Sequence, residues 1–210
     1  MGAYIGVMST FYFDVEPTAE LFDRALQDTK RAIEIDDQNA VFHLLESRVY
    51  LAQRDNAKAL TTMETAMELN PNMAGIYCGM GDALNYEGEY RKAISQFEKC
   101  LQLGPRDPLR WAYAGYKSLT HLFAEDFENA IDSSERAIGY PRCQYWAYAH
   151  RAAALGHLGM GEEARTATAE LLRQQPKFSR RLAERKLYFL KKPEQLRLYL
   201  DGLRKAGVPE

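Results

Sequence analysis

Small apolar residues return along the chain at a fixed interval. Ala25, Ala59 and Ala93 lie 34 residues apart, and Ala130 and Ala164 continue the series after one slip of three. The same local pattern surrounds each, which predicts one small unit repeated several times rather than a domain built around a single centre. The clearest unit runs from Ala74 to Asp107. Tyr77, Met80 and Leu84 share one face of a first helix, with Gly81 where a side chain would hold a neighbour away. Gly88-Glu89-Tyr90 breaks that helix; Ala93, Phe97 and Cys100 form the stripe of a second, and Pro105 ends it.

The preceding unit places His43, Glu46, Ser47 and Tyr50, then Ala59, Met63, Ala66 and Pro71, at the matching positions. Glu46 departs from the pattern, because a carboxylate stands where an apolar residue is expected. In the following unit Trp111, Ala114 and Gly115 keep the spacing, but the second helix arrives late, at Ala130 and Ala137. The extra residues fall within 119–126 and are expected to lengthen the first helix by most of a turn. A last unit carries Tyr148, Leu155, Gly159, Ala164, Leu171 and Pro176. Upstream, Thr18 to Ile35 reads as a second helix whose partner is 2–13, joined by Asp14-Val15-Glu16-Pro17. Asn72, Asp55 and Asp107 are the expected capping residues of the helices that follow them.

These positions are those of the tetratricopeptide repeat, which the Ala74–Asp107 unit closely resembles in length, order and residue type. The resemblance implies an all-α, right-handed α-solenoid of about five helical hairpins, near 2–37, 39–71, 73–105, 108–141 and 145–176. Residues 177–210 are expected to form a helical cap: Leu182, Leu187, Tyr188, Phe189, Leu196 and Leu198 would cover the last apolar face, as an end unit must. In such arrays the first helices line a concave groove, and the side chains facing it are two, five, nine and twelve places into each unit. Here these are Val41, Leu44, Arg48 and Leu51; Gly75, Cys78, Asp82 and Asn85; Leu109, Ala112, Tyr116 and Leu119. Tyr86 and Trp146 are expected to border them. Chaperone-binding members grip a terminal carboxylate with Lys and Asn at groove sites; Leu44, Cys78 and Asp82 are not such donors, and Asp82 would repel the ligand.

A narrower resemblance concerns the ending, Lys191-Lys192-Pro193-Glu194-Gln195-Leu196 and Asp201 to Glu210. It is similar to the end of a bacterial family in which a tetratricopeptide region follows an adenylate/guanylate cyclase or a winged-helix DNA-binding domain. This implies a regulatory part of a larger bacterial protein. It does not move cyclase activity into this chain, where no strand-rich segment carries acidic metal ligands.

Composition narrows the functional classes. A net charge of -2 over 210 residues argues against a general nucleic-acid binder. Cys78, Cys100 and Cys143 are odd in number and widely spaced, as suits reduced thiols in a cytoplasmic protein. Neither a signal peptide nor a membrane span is expected. His150 and His157, seven residues apart on one predicted helix, are about 10 Å apart along its axis and cannot share a metal with each other. No catalytic motif or cofactor-binding motif is present, so no catalysis, cofactor or metal is expected. The run 177–192 holds seven Lys and Arg against Glu184 alone, and reads as a solvated outer face of the cap. The reading that follows is a non-catalytic interaction module, binding a peptide or the chain's own neighbouring domain in the groove and regulating an attached or partner effector. Two alternatives are a portion of a nucleotide cyclase and a self-associating scaffold paired through Tyr4, Tyr12 and Phe13 of the N-terminal hairpin.

Overall fold

A computed structural model describes residue 16 and residues 18–210. Every regular element among the described residues is an α-helix: α1 Ala19–Ile35, α2 Ala40–Ala52, α3 Asn56–Leu69, α4 Ala74–Tyr86, α5 Tyr90–Leu103, α6 Arg110–Phe123, α7 Phe127–Ile138, α8 Tyr145–His157, α9 Gly161–Gln174, α10 Arg180–Lys186 and α11 Pro193–Lys205. The pairs α2/α3, α4/α5, α6/α7 and α8/α9 form successive hairpins, each packed on the next. The expected partner of α1, residues 2–13, lies outside the described residues, as do Tyr4, Tyr12 and Phe13.

The periodic alanines mark where the second helices bury. Ala25, Ala59, Ala93, Ala130 and Ala164 are all essentially inaccessible. Gly81 is needed sterically: a Cβ there would lie 2.8 Å from the Phe97 ring, so α4 and α5 touch at this point. At Gly79 a Cβ would clash only with the terminal methyl and sulfur of Met63 of α3, the far end of a flexible side chain that can move aside, so the requirement there is weaker. Gly115 differs, since a Cβ would meet nothing within 4 Å. The three-residue slip falls at the C-terminal end of α6, which runs on to Phe123, but the helix also starts late, at Arg110, so at 14 residues it is one longer than the 13-residue α4 and the expected lengthening by most of a turn does not occur.

Asp55 caps α3 through the Lys58 N–H at 3.2 Å, and Asp107 accepts the Leu109 N–H at 2.8 Å ahead of α6. Asn72 does not cap α4. Its own N–H donates to Asn70 Oδ1 at 3.2 Å, so the preceding asparagine has already closed the turn, and Met73 stands at the cap without a side-chain acceptor.

One feature of the corners repeats faithfully. Arg54, Gly88, Glu125 and Gly159 all adopt positive φ, at 65°, 82°, 58° and 69°. In each hairpin the next residue's N–H closes back on the carbonyl five residues earlier, at 2.9 Å for Tyr50, Leu84 and His121 and 3.2 Å for Leu155. This left-handed closure suits glycine, and a side chain there costs about 1 kcal/mol. Glu125→Gly is therefore expected to stabilise the protein by about 1 kcal/mol, a rise of about 3 °C in Tm by calorimetry.

The C-terminal region departs from the expected end cap. α11 does pack on α8, and Thr168 Oγ1 donates to the Ala206 carbonyl at 2.9 Å. From there, however, the segment 187–195 reaches back across the array. Arg54 donates to the Leu190 carbonyl at 2.9 Å, Gln195 Nε2 donates to the Asn85 carbonyl at 2.8 Å, and Tyr188 stacks on Phe22 of α1 at 6.2 Å. The physical reason lies in the run Leu187-Tyr188-Phe189-Leu190. Its apolar surface joins one buried cluster with Leu51, Tyr86, Leu119 and Phe178, drawn from several hairpins rather than from the last one. The basic run is correspondingly split: Lys177, Arg181, Arg185 and Lys191 are exposed, whereas Lys186 is 2% exposed and belongs to the interior.

Candidate peptide groove

The groove positions come from α2, α4, α6 and α8, held in register by the hairpin spacing. Their exposure follows a gradient along each helix. At the N-terminal ends Val41 and Leu109 are 42% and 43% exposed, and Gly75 is half-buried. One turn on, Leu44 is half-buried while Cys78 and Ala112 are buried. Beyond these, Arg48, Asp82, Leu51, Asn85, Tyr86 and Leu119 are all below a tenth exposed. Tyr116 and Trp146 remain half-buried. At the C-terminal ends of these helices the strap formed by 187–195 contributes the cover: Leu51, Tyr86 and Leu119 share one buried cluster with Leu187, Phe189 and Leu190, and Gln195 binds the Asn85 carbonyl. Phe189 packs on Tyr86 with ring centroids 5.0 Å apart, and Phe178 meets Trp146 edge-on at 5.8 Å. Beside the strap a small apolar recess of about 40 Å³ persists, lined by Trp111, Tyr116, Trp146, His150, Leu187 and Phe189.

Arg48 and Asp82 occupy the same place in consecutive units and form a buried ion pair through Nη1 and Oδ2. A second guanidinium nitrogen donates to Cys78 Sγ at 3.2 Å. Burial pushes the Asp82 carboxyl up to about 6, against the pull of Arg48 in the other direction. Its other oxygen, Oδ1, has no hydrogen-bond partner. Arg48 is thus committed to an internal carboxylate. Cys78 turns out to share the hairpin core with Ala93, Phe97, Cys100 and Tyr113, and so contributes little surface to a ligand. Asn85 is fully buried, and neither its Oδ1 nor its Nδ2 finds a partner.

The sequence reading weighed His150 only as a metal ligand and did not name its partner, Tyr199. His150 Nδ1 and the Tyr199 hydroxyl are 2.9 Å apart, joining α8 to α11 in the interior. Burial drives the His150 pKa down to about 3. A histidine held neutral in this way contributes stability that is complete above its ordinary pKa of 6.5 and is lost as pH falls toward 3. Lowering the pH from 7 to 5 is expected to cost the wild type about 2 kcal/mol through this group. Thermal melts of His150→Phe should show a correspondingly smaller decline over that interval, whatever constant offset the substitution introduces. His121 and His157 have other partners, Asp126 at 3.0 Å and the Leu198 carbonyl at 2.8 Å.

Comparison with known proteins agrees with this geometry. The tetratricopeptide repeat profile matches residues 74–107. A TPR repeat-containing protein of Methanocaldococcus jannaschii is 31% identical over 86 residues, 41% of this chain, and the match spans only 25% of that relative. Among solved structures, PilW, a widely conserved type IV pilus biogenesis factor, aligns with a TM-score of 0.71 at 15% identity, covering 95% of this chain and 90% of that one. YrrB, described as a TPR protein with an unusual peptide-binding site, aligns with a TM-score of 0.59 at 21% identity, covering 87% and 92%. No described helix is long and apolar enough to cross a membrane. The hairpin stack, its repeating left-handed corners and these likenesses together give the described residues the fold of an all-α solenoid of tetratricopeptide type, with residues 74–107 matching the repeat profile.

Proposed function

We propose that this chain is a non-catalytic protein-interaction module that takes a peptide or a neighbouring domain along its concave face and so regulates an attached or partner effector. The observation that carries this reading is the exposure gradient. Equivalent positions of successive units, Val41 and Leu109 with the half-buried Gly75 between them, stay accessible on rigid helices while Arg48, Leu51, Asp82, Asn85 and Leu119 of the same face are covered. Spaced apolar anchors of this kind suit recognition in which a few contacts supply most of the affinity. YrrB, with its described peptide-binding site, lends the reading support by analogy of fold.

The test is selection of displayed random peptides on the immobilised full chain, followed by titration of the winners. Val41→Glu combined with Leu109→Glu is expected to weaken their binding by about a hundredfold, since each charge would be desolvated against the ligand. Selection of no peptide, or winners indifferent to the double substitution, would refute the reading.

A further inference from the structure

The strap itself defines a second, covered binding surface. We propose that residues 187–195 are an internal occupant of the groove, and that the site beneath them receives a partner peptide of the same chemistry. That chemistry is an aromatic residue between aliphatic neighbours followed at once by lysines, as in Leu187-Tyr188-Phe189-Leu190-Lys191-Lys192. This inference rests on the interaction-module reading above.

Three observations carry it. First, the strap is held as a peptide ligand would be held. Residues 187–192 are non-helical, Phe189 is anchored on Tyr86, and the Leu190 carbonyl is bound by the Arg54 side chain at 2.9 Å rather than by a regular ladder. Second, the charges match. The C-terminal end of α4 presents carbonyls that carry partial negative charge, and it attracts cations and donors. Lys191 Nζ lies 3.8 Å from Glu87, Lys192 reaches to 2.7 Å from where a Gly88 Cβ would stand, and Gln195 donates to the Asn85 carbonyl. Third, the fit is incomplete. Asn85 is fully buried under the strap with both amide atoms unpartnered, and Gln195 Oε1, equally buried, is unpartnered too. Buried polar atoms are ordinarily paired, and an Asn side chain offers a donor and an acceptor that match one peptide unit. The strap leaves that offer unused, and a ligand whose backbone meets Asn85 would bind more favourably than the strap does.

A covered site reduces apparent affinity by the fraction of molecules in which it is open. The experiment uses a fluorescent peptide of residues 184–196 and the full chain in three forms: wild type, Phe189→Ala, and Phe189→Ala with Asn85→Ala. Anisotropy titration should show Phe189→Ala binding the peptide about tenfold more tightly than wild type; freed of the covalent link to α11 that holds the strap, the peptide can bring a backbone amide to Asn85, so the added Asn85→Ala should reverse most of that gain. Circular dichroism establishes that each variant is folded. Hydrogen exchange on the wild type supplies a measurement that needs no variant: saturating peptide should speed exchange in 187–195 and leave α3 and α5 unchanged. Equal affinities for wild type and a folded Phe189→Ala, or unaltered exchange in the strap, would overturn the inference. If displayed peptides still bind at Val41 and Leu109 in that case, the interaction-module reading survives and only this proposal falls.

Discussion

Gly156→Ala is expected to lift α11 away from α8 and to lower Tm by about 6–12 °C. A Cβ at this position would sit 2.2 Å from the Gly202 carbonyl oxygen and 2.9 Å from the Ala206 nitrogen. Both are backbone atoms, so no flexible side chain is available to yield. Gly202 repeats the constraint from the other side, 2.6 Å from the Ala153 carbonyl oxygen. Relief requires the helices to separate, which strains the Thr168–Ala206, His150–Tyr199 and His157–Leu198 contacts together. Overpacking of this sort costs up to about 3 kcal/mol, and the rigid backbone contact places Gly156→Ala at the upper end. The signature is spatial as well as energetic. Hydrogen exchange should rise across 193–208 and in the strap, with α4 and α5 protected as before. An unchanged Tm, or a loss of protection spread evenly over all hairpins, would contradict the geometry.

The second large effect concerns Arg48. Arg48→Met removes the partner of a carboxylate that is 1% exposed, and breaking a buried pair in this way costs about 3–5 kcal/mol. Replacing both members, Arg48→Met with Asp82→Leu, should recover most of the loss, because no charge is then left stranded. The pH dependence has a definite sign. Asp82 is raised in the folded state to about 6 from an ordinary 3.8, so between these values the folded chain holds the proton more firmly than the unfolded one. The contribution is therefore greatest at low pH and is lost as pH rises through 6. Arg48 supplies the pull that lowers this carboxyl, so its removal pushes the pKa higher still. The deficit of Arg48→Met should accordingly be larger at pH 8 than at pH 5, measured as Tm against wild type at each pH. A deficit that grows on acidification would mean that Asp82 is not the group left behind.

The hairpins were legible because burial of a helix face leaves a period in the sequence. Ala25, Ala59 and Ala93 carry that period, and a corner that must turn left-handed leaves Gly88 and Gly159 as traces. Arg54 and Glu125 occupy the same corner without leaving one, since a modest backbone cost is absorbed without changing residue type. The groove was legible by register but not by state. Spacing places Arg48 and Asp82 on the same face of successive helices, and opposite charges one unit apart were a signal of mutual pairing that reading each site as a ligand contact passes over. The strap was least legible. Leu187 to Leu190 would serve equally to cover the last hairpin or to fill the concave face, because hydrophobicity states that a segment needs burial and not where. Charge counting placed Lys186 outside with its neighbours, whereas its neighbours' apolar anchors carry it in.

The strap also changes how the molecule comes apart. Stacked repeats ordinarily touch only their neighbours, so such arrays fray from the ends and their stability is a sum of local terms. Here Arg54 is tied to a carbonyl 136 residues away, and Phe22 to Tyr188 across the intervening hairpins. The segment acts as a chord across an arc: it couples the first described helix to the last hairpin and resists any change in curvature. Unzipping from either end then costs contacts at the other, so the two ends of the described array are coupled in stability. Refolding likewise waits on closure of a loop nearly as long as the chain, slower than neighbour-by-neighbour growth would be.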